Sequence, residues 1–343
     1  MTTTHGGAAS APTLDEVAQA AGVSRSTASR AINGGLRVSP EAQAAVDDAV
    51  ARLGYTPNRA ARSLVTRRTD SIALVLPEPD ERILNDPFLT GTLRGVSAAL
   101  GSSQLQLVLV MARPGEQNGR IARYLGSGHV DGAIVASHHR EDGLEEALMG
   151  SRLPAVFVGR PFHGPASGLV YVDVDNLDGG RLGAQRLVDA GCRRVATITG
   201  PLDMTAGIDR LEGWRTAVTA AGLADDLVDG GDFTTDGGAA AMARLLDRDP
   251  TIDGVFAASD VMAAGALRVL AERGRSVPDD VAVVGYDDLG IAAAATPPLT
   301  TLRNPVIDMV RAATDVLLDM IAGDAPPTEP RLFPAELVAR ASA

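Results

Sequence analysis

Arg25, Ser26, Ser29, Arg30 and Asn33 share one face of a segment with helical spacing, and that face carries hydrogen-bond donors and no carboxylate. A guanidinium fork matches the O6 and N7 acceptors of guanine in the major groove, and hydroxyls reach phosphates or base edges. The chemistry on offer is the reading of double-stranded DNA. A solvated helix face can look the same, so the elements around it must decide.

Those elements are short capped helices. Thr13 and Glu16 form a capping box ahead of a helix over 14–21, whose stripe is Leu14, Val17, Ala18 and Ala21, and Gly22 ends it. Ser24 caps a second helix at once, so the two meet at a steep angle, as in a helix-turn-helix. Ala28, Ala31 and Ile32 face inward there. Ser39-Pro40 opens a third helix with a cap and an N1 proline, Val46, Val50 and Leu53 are its expected buried stripe, and Gly54 stops it. Asn58 can cap a further basic helix over 59–65, followed by Arg67 and Arg68. Its apolar side, Ala60, Ala61 and Leu64, is too small to be stable without a partner.

Charge supports this division. The chain of 343 residues has a formal net charge of −12, yet residues 1–68 hold eight arginines against five acids. A basic head on an acidic body orients a protein on DNA. All 31 basic residues are arginine. The absence of lysine excludes a P-loop, a Schiff-base lysine and a protein-kinase site, and there is no G-x-S-x-G, zinc motif or G-x-G-x-x-G, so no enzyme is expected. The one cysteine, Cys192, reads as a buried thiol. Residues 1–12 lack a basic start and an apolar core, so a disordered tail is expected rather than a signal peptide. No apolar run approaches the ~18 residues of a membrane span, and a cytoplasmic location is expected. No cofactor or metal is expected. His138 and His139 are adjacent at a strand end, point to opposite faces and lack a third ligand.

From Asp70 onward strands and helices alternate. Strands are expected at 72–76, 104–110, 132–137, 155–158 and 171–175, with helices at 88–100, 116–125 and 144–149. A second series places strands at 195–199, 228–233, 254–258 and 281–286 among helices at 177–190, 207–221, 237–247 and 261–273. Near-continuous Val, Ile, Leu and Ala strands imply parallel sheets covered on both faces. Two such units imply two lobes, with a ligand cleft beyond the carboxyl ends of the strands.

These segments resemble the lactose-repressor (LacI/GalR) family over the full chain. The resemblance rests on T-L-D-E-V-A at 13–18, G-V-S-x-x-T-x-S-R-A-I-N at 22–33, L-G-Y-x-P-N at 53–58 and A-R-S-L at 61–64. In the body it rests on V-D-x-D-N at 172–176, R-L-x-G-W at 210–214, G-D-F-T at 231–234, A-S-D-V-M-A at 258–263, V-P-D-D-V-A-V-V-G-Y-D-D at 277–288, P-P-L-T-T at 297–301 and E-L-V-x-R at 336–340. It implies an α-helical helix-turn-helix headpiece (13–57), a hinge helix and linker (58–70) and an α/β periplasmic-binding-protein-like body (71–343) of two doubly wound parallel-sheet lobes. Lobe one is expected at about 71–171 and 303–331, with a helix at 306–321, and lobe two at 172–302 and 332–343.

The implied DNA contacts are Thr13, Ser24, Arg25, Ser26, Thr27, Ser29, Arg30, Asn33 and Tyr55 in the headpiece, and Asn58, Arg59, Arg62, Ser63 and Leu64 in the hinge. Leu64 holds the place from which the family wedges a leucine into the minor groove, which favours an easily unstacked CG step at the operator centre. The implied effector contacts are Asp86, Phe88, Ser137, Arg160, Arg210, Phe233, Ser259 and Asp287. Carboxylates and guanidinia hold pairs of sugar hydroxyls, and a ring face stacks on an apolar sugar face. An interlobe salt bridge without ligand is the alternative for the Arg and Asp members. Trp214 reads as core and Asp260 as a helix cap.

Two features depart from the common pattern. Ser259 stands where many members carry Asn, and the loop 77–86 is long and acidic. Gly159-Arg160-Pro161 resembles actinobacterial members that respond to β-glucosides and cellobiose.

The resemblance thus implies a homodimeric repressor of carbohydrate-utilisation genes, released from a palindromic operator by a small sugar, with no heptad tail to build a tetramer. Alternatives are a regulator whose purine or phosphoprotein partner tightens DNA binding, and a sugar-binding transport protein.

Overall fold

The computed structural model describes residues 12–33, 38–56, 68–101, 103–111 and 119–343. The chain separates into two compact units, Met1–Thr69 and Asp70–Ala343.

In the first unit α1 (Leu14–Ala20), α2 (Arg25–Ile32) and α3 (Pro40–Leu53) close a small core of Val17, Ala18, Ala28, Ala31, Val46 and Ala49. The Thr13–Glu16 capping box is formed in both directions, Ser24 Oγ accepts from Thr27 N, and Ser39 Oγ accepts from Ala42 N. Gly54 ends α3 at φ 64°, a left-handed conformation that suits glycine. One stripe residue differs from expectation: Leu53 is 36% exposed, and Ala49 is buried instead. Leu53 is the last residue of the helix. The hinge assignments Asn58, Arg59, Arg62, Ser63 and Leu64 fall outside the described residues.

The second unit holds two six-stranded sheets. The first has the order β11-β5-β4-β3-β1-β2 and is parallel throughout, with β1 Ser71–Leu76, β2 Gln106–Met111, β3 Gly132–Ala136, β4 Ala155–Val158, β5 Val170–Val174 and β11 Arg331–Phe333. The second has the order β12-β10-β9-β8-β6-β7, with β6 Val195–Thr199, β7 Val228–Gly230, β8 Gly254–Ala257, β9 Ala282–Asp287, β10 Thr300–Arg303 and β12 Glu336–Val338. Only β12 runs antiparallel, on β10. Buried strands such as β1, β3 and β6 are continuous apolar or small runs, as sheets covered on both faces require.

Two boundaries move. β5 pairs with β4 through Val172 and with β11 through Val174, so the first crossing between lobes follows residue 174 rather than 171. β11 belongs wholly to the first sheet and β12 to the second, so the third crossing lies at 334–335. The expected loop 77–86 contains a short helix, α4 (Asp80–Asn85), ahead of α5 (Pro87–Ala99). The expected helix 116–125 is described as α6 (Gly119–Gly126), and the expected strand 228–233 stops at Gly230.

In the second lobe α8 (Asn176–Asp189) and α9 (Thr205–Ala220), counting α7 as Leu144–Leu148, touch through glycine. A Cβ on Gly180 would lie 2.2 Å from the Arg210 carbonyl oxygen, so only glycine permits this approach, and it fixes where Arg210 stands. Trp214 on the same helix is fully buried, in the core.

Candidate functional site

A cleft of about 710 Å³, its open mouth included, lies at the carboxyl ends of the strands between the two lobes. Seven of the eight expected effector residues line it: Asp86, Phe88, Ser137, Arg210, Phe233, Ser259 and Asp287. They come from segments far apart in sequence, helix starts, strand ends and loops, that meet at the carboxyl ends of the strands.

Arg210 anchors the wall. Its Nε donates to Asn176 Oδ1 at 2.8 Å and its Nη1 to the Ala258 carbonyl at 2.6 Å, while the guanidinium lies 3.6 Å from the centre of the Tyr286 ring. Nη2 stands 3.7 Å from Asp287 Oδ1, close enough for attraction but too long for a hydrogen bond. Burial pushes Asp287 up to about 6 even with Arg210 opposing it, and burial raises Asp86 as well, against the nearby Arg82. Carboxylates lifted in this way gain from donors that arrive with a ligand.

Backbone conformation marks the same place. Ser137 (φ 57°), Phe233 (φ 61°) and Asp287 (φ 118°) are all in the positive-φ region. For a residue with a side chain this costs on the order of 1–3 kcal/mol, and such strain gathers at ligand sites. Two lining groups also hold buried atoms without a hydrogen-bond partner, Asn304 Oδ1 and Arg82 Nε. One is an acceptor and the other a donor, so a ligand with hydroxyl groups can satisfy both.

Several expected residues are already engaged. Asp86 Oδ1 caps α5 by accepting from Phe88 N, and Ser137 Oγ donates to Glu78 at 2.6 Å. Ser259 Oγ accepts from Met262 N as the cap of α11 (Asp260–Glu272), which follows α10 (Thr235–Arg248), and this leaves its hydroxyl hydrogen for a ligand. Asp260 is not the cap expected of it. Its two oxygens accept from Thr301 Oγ1 and Asp288 N, tying the helix to the ends of β10 and β9.

Arg160 departs from the expected site. Its guanidinium grips Asp209 of α9 through two bonds, 3.0 and 2.7 Å, and Gly159 lines the cavity in its stead. A buried-edge carboxylate within reach outcompetes an open cleft. Arg82, Asn176, Thr205 and Asn304 line the cavity without having been expected there. Asn176 lay in a recognised motif, whereas Arg82 sits on a helix that no periodicity announced. His138 and His139 turn to different carboxylates, Glu145 at 3.2 Å and Asp203 at 2.8 Å.

Comparison with known proteins fits this geometry. Residues 13–58 match the model for bacterial regulatory proteins of the lacI family, and residues 184–343 match that of a periplasmic binding protein-like domain. The HTH-type transcriptional regulator CelR of Thermobifida fusca is 50% identical over 321 residues, covering 93% of this chain and 94% of that protein. The chain belongs to the LacI family. A solved transcriptional regulator CelR-cellobiose complex matches with a TM-score of 0.77 at 46% identity, covering 97% of this chain and all of that one. The Lac repressor dimer bound to operator and the anti-inducer ONPF matches with a TM-score of 0.84 at 27% identity, covering 96% and 98%.

As a LacI-family member the protein is a DNA-binding transcriptional regulator, and its helix-turn-helix carries the donors foreseen. On α2, Ser26, Ser29, Arg30 and Asn33 point away from the core, with Arg30 Nε bonded to Ser26 O at 3.1 Å and Asn33 Nδ2 to Ser29 O at 2.8 Å. Arg25 is paired with Asp15 of α1 at 3.3 Å, so a carboxylate does adjoin this face. The pair is exposed and weak, and a phosphate can take it over. Ser24 Oγ and Thr13 Oγ1 serve first as helix caps, and Thr27 Oγ1 lies 2.8 Å from Ser24 Oγ. Tyr55 packs against the headpiece core with part of its side chain exposed. Among the described residues no helix is long and apolar enough to cross a membrane.

Proposed function

We propose that the protein is a cytoplasmic repressor of carbohydrate-utilisation genes that holds a near-palindromic operator as a homodimer and is released by a β-glucoside of the cellobiose class. The observation that carries this reading is the interlobe cavity, which Asp86, Asp287 and Arg210 line together with the ring of Phe233. Charged hydrogen-bonding groups around one aromatic face are the donor and acceptor set of a carbohydrate site. The similarity to CelR, solved with cellobiose, supports that ligand class. A two-fold operator goes with a dimer.

In this reading Ser26, Ser29, Arg30 and Asn33 face the major groove, with Ser24, Arg25, Thr27, Thr13 and Tyr55 around them and Leu64 at the operator centre. Asp86, Phe88, Ser137, Arg210, Phe233, Ser259 and Asp287 surround the sugar. Sugar and operator oppose each other through one coupling free energy, typically about 1–3 kcal/mol, so bound operator weakens sugar binding by the same factor.

The test is selection of bound sequences from random duplex DNA at a stated salt concentration, followed by fluorescence anisotropy with the selected operator. A palindrome centred on CG, released by cellobiose and not by ribose, is the expected result. Tighter operator binding on adding cellobiose or a purine would replace the reading with co-repression.

A further inference from the structure

Glu78 is a buried carboxylate just behind the cavity wall, and it collects three donors. Arg82 Nη1 lies 2.8 Å from its Oε1, Ser137 Oγ 2.6 Å and His139 Nε2 3.1 Å. Two of the three, Arg82 and Ser137, line the cavity, and Arg82 also lies 5.5 Å from the centre of the Phe233 ring on the opposite lobe. The third donor leads out of the cavity. His139 Nδ1 stands 2.8 Å from Asp203 Oδ2, and Asp203 belongs to the second lobe, just ahead of α9. The same junction is sealed by Arg140 N donating to the Asp203 carbonyl at 2.8 Å and by Thr205 Oγ1 donating to the Arg160 carbonyl at 2.6 Å.

We propose that Glu78, His139 and Asp203 form a clasp that holds the two lobes closed around the effector, with His139 as its positioning residue. The inference rests on the reading of the cavity as an effector site. An imidazole between two carboxylates can donate to both only as the cation, since a neutral ring has one N–H and one lone pair. Deprotonation therefore removes one of the two bonds and sets a lone pair against a carboxylate. Because Glu78 also takes Arg82 and Ser137, a ligand that engages either residue changes the charge facing His139. The clasp thus links occupancy of the cavity to closure of the cleft.

The charged groups facing the ring are Glu78 and Asp203 on its nitrogens, Asp142, which accepts from the His139 backbone N–H at 2.9 Å, and Arg82 through Glu78. Burial pulls His139 down, but Glu78 and Asp203 prevail and hold it above its ordinary 6.5. The clasp is present below that ordinary value and is lost as pH rises through the raised one.

The experiment measures the distance between nitroxides on exposed Arg152 of the first lobe and Thr216 of the second, in the full chain carrying Cys192→Ser, without ligand and then with cellobiose. The closed population is expected to fall as pH rises from about 6 to about 9, and cellobiose affinity to weaken by about five-fold over that range. His139→Gln, which keeps a neutral donor, and Asp203→Asn, which leaves the first lobe intact, should each flatten this response. A ligand-free distance indifferent to pH, or a His139→Gln variant that follows the parent, would overturn the clasp. A pH-dependent distance that both variants flatten, with no cellobiose binding at any pH, would uphold the clasp and sink the sugar reading instead.

Discussion

The headpiece and the cleft reach their function by opposite routes. On the headpiece the proposed groove-facing side chains lie on or beside one eight-residue helix, largely exposed, and are held by bonds formed within a few residues of themselves. In the cleft the lining side chains come from helices, strand ends and loops spread between Arg82 and Met309, and several are held by partners distant in sequence. Arg210, for example, is bonded to Asn176 and to the Ala258 carbonyl, on two other elements. Local wiring makes the headpiece tolerant of single changes, whereas long-range wiring makes the cleft cooperative: loss of one member leaves others buried and unsatisfied.

Arg210→Ala should show this contrast at its largest. It strands Asn176, the Ala258 carbonyl and Asp287, and a cost of about 3–5 kcal/mol in the stability of the body is expected, read by denaturant unfolding. Effector binding should vanish in the same variant. A loss of 1 kcal/mol or less would mean that the cleft is wired no more tightly than the headpiece.

Asp287→Asn is a finer cut. It keeps the shape but removes the charge that sugar hydroxyls would meet, so affinity should fall about 100-fold by calorimetry while ligand-free operator binding stays intact. A fall of less than threefold would detach Asp287 from the effector site.

Titration sharpens the comparison further. Asp287 is raised to about 6, so it is a carboxylate only above that value. Effector affinity should therefore rise up to about tenfold as pH climbs from about 5 to about 7, and Asp287→Asn should erase that limb. Stability takes the opposite sign: a carboxyl raised on folding favours the native state at low pH, and its contribution declines between the ordinary 3.8 and about 6.

On the headpiece the expected effect is smallest. Ser24→Ala leaves Thr27 N uncapped and should cost about 1 kcal/mol of headpiece stability, seen as a lower Tm, with little change in effector affinity. A change in effector affinity matching that of Asp287→Asn would contradict the separation drawn between the two regions.

The sequence by itself determined whatever depends on neighbours along the chain. Thr13 with Glu16, Ser24, Ser39-Pro40 and Gly54 fix the ends of three helices because caps act over a single turn. The alternation of apolar strands and helices implies two sheets with a cleft at the strand ends, and the family resemblance carried by the sequence motifs named the seven residues that line it. Only the tertiary structure decided what those side chains meet. It turned Arg160 onto Asp209, gave Asp260 to Thr301 and Asp288, and drew Arg82 and Asn304 into the wall. It also set His139 between Glu78 and Asp203, 61 and 64 residues away along the chain. Hydrogen bonds and charges at that separation depend on how two lobes close, and no local pattern in the chain encodes a distance between side chains that only packing brings together.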